Sequence, residues 1–466
     1  MPSAELVLPA RMSRVAVLSP KTRVRETLIE LARSGSVELV GTLPPAEGEA
    51  AEALRRLAQS READGGAALS SRAPDLAVLE RGGMRDLLAG EVELSRRAGL
   101  AVQHGSFAAW VGWMPSARIE PLNASLEPVG SAVVELPRPP WTEPPTLLSS
   151  TAVSRPFRPL VQTYGTARYR DVDPTVFTAL SFVAMFGLMF GDVGHGLVLS
   201  LLALWLRGRR RGRLAPFRAL WPIPFAAGLS GAAVGFLYGE AFGPTHLVPR
   251  LWLDPIDRPV PLLLVALAVG AGLLAASYAF GIVNRWRESG FAAALLDQSG
   301  IAGFMIFVGG GIAAGGLHWR LLPLELVGGA IGVAGMALLG IGLTLQAGRG
   351  AAAITQAGIE LVDAVVRLAS NLISFTRLAA FGLMHAALGT IVYQAAAALW
   401  GSALGGVAAV VVFVVGNAIA FTLEALVTGV QALRLEYYEL FSRVFSGEGH
   451  AFAPWSLPVV TTKEER

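Results

Sequence analysis

Cysteine is absent from the 466 residues, which excludes disulfides, thiol chemistry and cysteine-ligated metal sites. Charge is scarce: 16% of residues are Asp, Glu, Lys or Arg, against about 25% in soluble domains. The net charge of +3 is small and sits on arginines in loops, so no nucleic acid partner is expected. Residues 1–25 lack an apolar core of signal-peptide type. The expectation is that the N-terminal part stays in the cytoplasm. That part also lacks a nucleotide-binding loop, a metal cluster and a nucleophile triad, so no cofactor, no metal and no catalytic residue is expected there. It reads as a connector.

What the chain has instead is hydrophobic residues, at 53%. They are unevenly placed: 1–175 is mixed and polar, while the remainder is dominated by long apolar runs. The expected class is a multi-pass α-helical membrane protein with a small N-terminal α/β cytoplasmic domain. The expected boundaries are 1–150 for that domain with a helical arm, 151–175 for a linker into the membrane, 176–446 for the transmembrane domain and 447–466 for a cytoplasmic tail. "RVAVL" (14–18), "SVELV" (36–40), "FAAWVGWMP" (107–115) and "SAVVELP" (131–137) predict strands. Residues 23–35 and a stretch near Ala117–Leu126 predict helices. The Ala-, Glu- and Arg-rich stretch 46–103 predicts either two short helices, arranged as an antiparallel hairpin, or a partly disordered insertion. "RPPWTEPPT" (138–146) predicts extended chain, because each proline fixes its own φ and biases its predecessor away from helix.

Apolar segments lie near 217–238, 261–284, 291–316, 321–346, 352–400 and 404–446, with an earlier run over 176–206. As one helix, that first run would carry the six arginines of "RGRRRGRLAPFR" (207–218) to the side opposite the N-terminal domain, against the positive-inside rule. A turn at "GDVGHG" (191–196) splits it into halves of 176–190 and 194–206 and removes the conflict. Each half is shorter than the roughly 20 residues of a normal span, so each is expected to be shielded by protein or to dip only partway into the membrane. Eight segments result. The 207–218 loop, "NRWRESG" (284–290), Arg349 and both termini then fall inside, and Arg250, Arg258 and Arg320 outside. The last two segments would each exceed about 60 Å as continuous helices at 1.5 Å per residue. They must tilt strongly, protrude or break.

Polar residues on the 352–400 segment are not scattered. Glu360, Asp363, Arg367, Ser370, Ser374 and Arg377 recur at alternating spacings of three and four, which is one helical face. Arg377 falls near the middle of its segment and Glu424 near the middle of the next. His385 lies two turns beyond Arg377, and Arg434 lies three turns beyond Glu424. Ionisable groups inside membranes mark ion pathways more often than they serve as staples. The plain alternative is an Arg377–Glu424 salt bridge that ties two helices together. Taken alone, His385 reads equally as a packing residue. Gly191, Gly194 and Gly196 make "GDVGHG" a tight turn, in which Asp192 and His195 are expected to stabilise the turn. Glu240, in "YGEAFG" (238–243), sits at a membrane boundary, where it could cap a helix or line a mouth.

At these residues the chain resembles the membrane a-subunit of rotary V-type ATPases, called subunit I in prokaryotes. "FGLMFGDVGHG" (186–196) and the preceding "PFRPLVQTYGTARYRDVDPT" (156–175) are similar to that family's first hairpin and its approach. "YGEAFG", "SNLISFTRLAAFGLMHAAL" (370–388) and "LEALVTGVQALRLEYYELFSRVFSGEGHAFAPW" (423–455) resemble its later signatures, in the same order. The resemblance puts the stator arginine on Arg377, the second arginine on Arg434, the acidic position of the last helix on Glu424 and the following histidine on His385. It implies a subunit of an ion-translocating ATPase of the prokaryotic plasma membrane that does not itself hydrolyse ATP. The partners it implies are a ring of proteolipid c-type subunits, a central-stalk d/C-type subunit, peripheral-stalk E/G-type subunits and membrane lipid. Two departures stand out. Gln431 occupies a place where the family often has histidine, and only residues 46–103 are available for an arm that normally docks peripheral stalks.

In such a motor a ring carboxylate stays protonated in lipid, ionises beside Arg377, and exchanges its proton with one half-channel on each side. The topology above assigns Glu360, Asp363 and Ser374 to the inner half-channel and His385 and Glu424 to the outer. A transporter acting alone would show inverted repeats or paired broken helices, and only one glycine-broken hairpin is present. A membrane scaffold or assembly protein derived from the subunit is the remaining alternative. The choice between H⁺ and Na⁺ belongs to the ring.

Overall fold

The computed structural model describes residues 9–57, 72–139, 141–148, 154–209, 211–348, 350–401, 403–445 and 447–457. Two compact units emerge, one comprising 1–8 with 149–448 and the other 9–148 with 449–466. Residues 58–71 of the expected arm, Arg210 and Arg349 lie outside the described residues.

The second unit is built on an antiparallel sheet. Its elements run β1 (Met12–Pro20), α1 (Val24–Ser34), β2 (Glu38–Leu39), α2 (Glu49–Leu57), α3 (Leu76–Arg81), α4 (Arg85–Ala98), β3 (Val102–His104), β4 (Phe107–Pro115), α5 (Ile119–Leu126) and β5 (Ala132–Leu136). The strand order is β2-β4-β1-β5, with β3 also on β4. β1 and β4 pair along their whole lengths, from Met12 opposite Pro115 to Pro20 opposite Phe107. Alternation sends Val15 and Val17 of β1 and Trp110 of β4 into the core. There they meet Leu28 and Leu31 from the apolar stripe of α1. α1 stops at Gly35, whose left-handed φ of 52° lets its N–H reach Leu31 O at 3.3 Å. Where two helices or disorder were expected within 46–103, the described residues form three helices. Leu79, Leu87, Leu88 and Leu94 bury them in the same core, and Arg25 grips Glu91 with two bonds of 2.7 and 2.5 Å. The segment 449–457 belongs to this unit. Trp455 N–H donates to Val37 O at 2.9 Å and Ala453 N–H to a Glu38 carboxylate oxygen at 2.9 Å.

The other unit is helical: α6 (Arg158–Tyr164), α7 (Thr175–Met189), α8 (Val193–Gly208), α9 (Pro222–Tyr238), α10 (Pro259–Ser289), α11 (Phe291–Leu296), α12 (Ile301–Trp319), α13 (Leu322–Ala347), α14 (Ala351–Ser374), α15 (Thr376–Leu399) and α16 (Ala403–Leu435). A π-helical turn, Glu436–Phe441, and the short α17 (Ser442–Val444) close it. Five stretches are long and apolar enough to cross a membrane: Pro259–Ser289, Phe291–Trp319, Leu322–Ala347, Ala351–Leu399 and Leu404–Val444. The other three expected spans are shorter helices, α7, α8 and α9. α9 is shorter than anticipated because it begins only at Pro222, where proline suits the first turn. These short helices hold one another closely. A Cβ on Gly196 of α8 would lie 2.4 Å from Ala232 N and 2.5 Å from Gly228 O of α9. Only glycine permits that approach.

Of the three outcomes expected for the two longest segments, an interruption is seen in the first, while the second runs on from Leu404 to Val444. The first divides at Phe375, between α14 and α15. Ser374 Oγ donates back to Ser370 O at 3.0 Å, a bond that bends helices, and the Phe375 ring fills the notch left by Gly270 of α10. The second runs 33 residues as α16 and then widens into the π turn. Insertions of this kind recur at functional sites.

Candidate functional site

The break at Phe375 places Arg377 in the first turn of α15, and the π turn faces it from the end of α16. Among the ion pairs of the described residues, Arg377 Nη1 meets Glu439 Oε1 at 3.3 Å. Glu439 is 6% exposed and Arg377 29%, so the guanidinium keeps an open side. That side faces a groove of about 730 Å³ lined by Ser370, Ser374, Arg377, Val430, Arg434 and Glu439. Arg434 lines the same groove and is exposed there. The neighbouring glutamate, Glu436, is fully buried and accepts from Ser181 Oγ at 2.6 Å. Glu436 and Glu439, three residues apart, both point inward from the π turn.

A second cluster lies about two turns along α15, at His385. Its Nδ1 forms a short ion pair with a Glu424 carboxylate oxygen on α16. Its Nε2 stands 3.9 Å from Asp192 Oδ2. Asp192 caps α8: Oδ1 accepts the N–H of His195 at 2.8 Å and of Phe242 at 3.0 Å, and Oδ2 accepts the N–H of Gly243 at 2.9 Å. His195 Nδ1 is 4.0 Å from Asp192 Oδ1, and its ring crosses that of His385 at 87° with centroids 5.5 Å apart. All four side chains are buried. Gly194 allows the Phe242 ring to seat on the turn, since a Cβ there would lie 2.5 Å from it. Glu240 is buried beside this cluster. It lines a polar pocket of about 310 Å³ with Tyr238, His246, Arg250, Asp254 and Tyr393.

The expected residues therefore fall into three groups. Arg377, Arg434 and Ser374 share one groove. His385, Glu424, Asp192 and His195 share a buried cluster, built on the turn that contains Gly191, Gly194 and Gly196. Glu360 and Asp363 join neither. Asp363 pairs with Arg367 at 2.6 Å on the exposed face of α14, and Glu360 accepts from Gln356 Nε2 at 2.9 Å. The polar seam reads as continuous in sequence, but only Ser370, Ser374 and Arg377 of it line the groove; Glu360, Asp363 and Arg367 lie further back along α14. The alternative Arg377–Glu424 staple is not formed, because His385 takes Glu424 and Glu439 takes Arg377.

Glu436, Glu439 and Arg443 escaped the sequence reading. Arg443 donates to Tyr278 Oη at 2.6 Å from a buried position. The available signal was two glutamates in the otherwise apolar "RLEYYELF". Their spacing of three residues already puts them on one helical face, and packing turns that face inward.

Residues 101–213 match the V-type ATPase 116kDa subunit family. The A-type ATP synthase subunit I of Thermococcus kodakarensis is 26% identical over 369 residues, covering 74% of this chain and 54% of that protein. Subunit I of Aeropyrum pernix is 30% identical over 357 residues, with 66% and 51% covered. The vacuolar proton translocating ATPase 100 kDa subunit of Dictyostelium discoideum is 36% identical over 146 residues, 28% of this chain and 18% of that one. The chain spans about half the length of the curated relatives it matches. Signatures in one order, apolar helices around a half-open arginine, and these likenesses agree: the chain matches the membrane a-subunit, or subunit I, of rotary V-type and A-type ATPases.

Proposed function

We propose that this chain is the stator a-subunit of a rotary ATPase membrane sector, with Arg377 as the charge that drives ion exchange with carboxylates on a ring of c-type subunits. The observation that carries this is the half-open state of Arg377. One buried carboxylate holds it from one side, and the groove leaves the other side free for a second. The α16 face next to that groove is apolar and exposed at Leu423, Leu426 and Val430, as a surface sliding past a lipid-embedded ring requires. A carboxylate moved from lipid to within about 4 Å of a guanidinium gains about 4 kcal/mol for its charged form at an effective dielectric near 20. That offsets much of the desolvation that keeps it protonated elsewhere. Arginine suits the task because it stays charged when dehydrated.

The Arg377 groove, with Ser370, Ser374 and Glu439, is the inner half-channel. The pocket at Glu240, continued by the His385–Glu424 pair, is the outer one. On this topology the chain lies in a prokaryotic plasma membrane with both termini cytoplasmic. The unit containing 9–148 meets the central-stalk d/C-type and peripheral-stalk E/G-type subunits. The test is ATP-driven acidification in inverted native membrane vesicles, comparing the parent chain with Arg377→Ala. Loss of pumping with the complex still assembled is the expected result. Pumping that persists in the variant, or a parent chain that neither pumps nor co-purifies with a ring of small apolar subunits, moves the reading to a scaffold or assembly protein.

A further inference from the structure

No metal site is expected from the sequence. Folding brings two histidines together at one carboxylate. Asp192, His195 and His385 each offer a ligand atom, and these atoms lie within 4.8 Å of one another in a fully buried setting. We propose that these three side chains form a binding site for a transition-metal dication, with Zn²⁺ the best match.

Four features carry this. The separations of 3.9 Å from Asp192 Oδ2 to His385 Nε2 and 4.0 Å from Asp192 Oδ1 to His195 Nδ1 are slightly wider than neighbouring ligands on zinc. Bonds of about 2.0–2.2 Å in a tetrahedron place ligand atoms about 3.4 Å apart, so three atoms that lie within 4.8 Å of one another must draw together by up to about 1.4 Å. His195 is 2% exposed, and neither of its ring nitrogens has a hydrogen-bond partner among the described residues. A buried imidazole left in that state is costly, and a metal supplies the missing partner. His385 turns Nε2 toward Asp192 while Nδ1 is held by Glu424. This is the carboxylate–histidine arrangement that fixes the tautomer and orientation of metal-binding imidazoles. Asp192 is itself held in place by three backbone N–H groups.

Two imidazoles and one carboxylate favour zinc-like ions over Mg²⁺ or Ca²⁺, which seek oxygen. Two carboxylates in the cluster, Asp192 and Glu424, suit a double positive charge. A water can complete a fourth position. The inference does not rest on ion pumping, since binding is read on the purified chain.

The full-length chain, purified in detergent and stripped with a chelator, is titrated with ZnCl₂ by calorimetry and with Co²⁺ by visible absorption. One equivalent of Zn²⁺ is expected, together with the intense Co²⁺ bands of a tetrahedral site. His195→Phe keeps the ring contacts with Phe190, Phe242 and Phe421 and is expected to weaken binding at least tenfold. His385→Gln, which retains an amide donor toward Glu424, should do the same. His318→Ala, at the exposed end of α12, should bind as the parent does. Zn²⁺ should also raise the melting temperature of the parent and not of the two site variants. The proposal is overturned if the parent binds no Zn²⁺ at stoichiometric concentration. It is equally overturned if either site variant, melting normally without metal, binds with undiminished affinity.

Discussion

Substituting Asp192 by Asn or Ala separates charge from shape in the knot that ties the start of α8 to the 242–243 turn. The carboxylate is fully buried and accepts three backbone N–H groups at 2.8–3.0 Å. Hydrogen bonds to a charged acceptor contribute about 1.5–3 kcal/mol each, and a buried donor left without a partner costs about 1–3 kcal/mol. Asparagine can place its oxygen at the Oδ1 position and keep the bonds from His195 and Phe242. Its NH₂ group then faces the Gly243 N–H, donor against donor. One bond is lost and one donor is orphaned, for a cost of about 3 kcal/mol. Alanine orphans all three donors, and no lipid can satisfy them, so its cost is at least about 5 kcal/mol. At about 2 °C per kcal/mol for a unit of this size, Asp192→Asn should lower the melting temperature of the detergent-purified chain by about 6 °C. Asp192→Ala should lower it by about 10 °C or more. Differential scanning fluorimetry at fixed detergent and without added metal measures both. Equal losses in the two variants, or a loss below about 2 °C in Asp192→Ala, would refute the accounting and leave the three bonds without energetic weight.

Gly196→Val should prevent α8 and α9 from closing, because backbone atoms of α9 lie within 2.5 Å of the added Cβ. The expected cost exceeds the usual 1–3 kcal/mol or so of overpacking, and loss of a monodisperse peak on size exclusion checks it. Glu439→Gln should leave the complex assembled but slow ATP-driven acidification about tenfold. Without its resident competitor, Arg377 holds an arriving carboxylate harder by up to about 4 kcal/mol, and unchanged rates would count against the groove as the exchange site. Asp171, in the segment before α7, is pushed up to about 7 by burial, with the Glu288 carboxylate adding to the effect. The folded state therefore holds a proton that the unfolded chain releases near pH 4. Stability should fall as pH rises from about 4 to about 7 and level off above, and Asp171→Asn should flatten that part of a melting-temperature profile.

Much of the architecture was legible in the sequence. Alternation marked β1 and β4, a 3.6-residue stripe marked α1, and the arginine-rich loop after the first apolar run required the turn at 191–196. These are local signals or consequences of membrane polarity, so one chain suffices to read them. Arg377, His385 and Glu424 also stood out, because an ionisable group in an apolar run costs free energy wherever it finally packs.

Pairing was beyond that reach. Arg377 and Glu424 are the two central charges of the last segments, and a bridge between them was the plain alternative in sequence. The structure gives each a different partner, Glu439 and His385, because the packing of helices against one another, and not spacing along one helix, sets which side chains meet. Glu360 and Asp363 lie outside the Arg377 groove because they sit several turns before it on α14. The carboxylate–imidazole cluster depends on tertiary structure most of all. Asp192 and His195 were expected to serve their own turn, and Asp192 does cap it. Only the packing of α15 against α7 and α16 sets His385 and Glu424 beside them. Composition and period determined that this chain enters a membrane and where its charges lie along each helix. Close packing between helices far apart in sequence decided which charges meet.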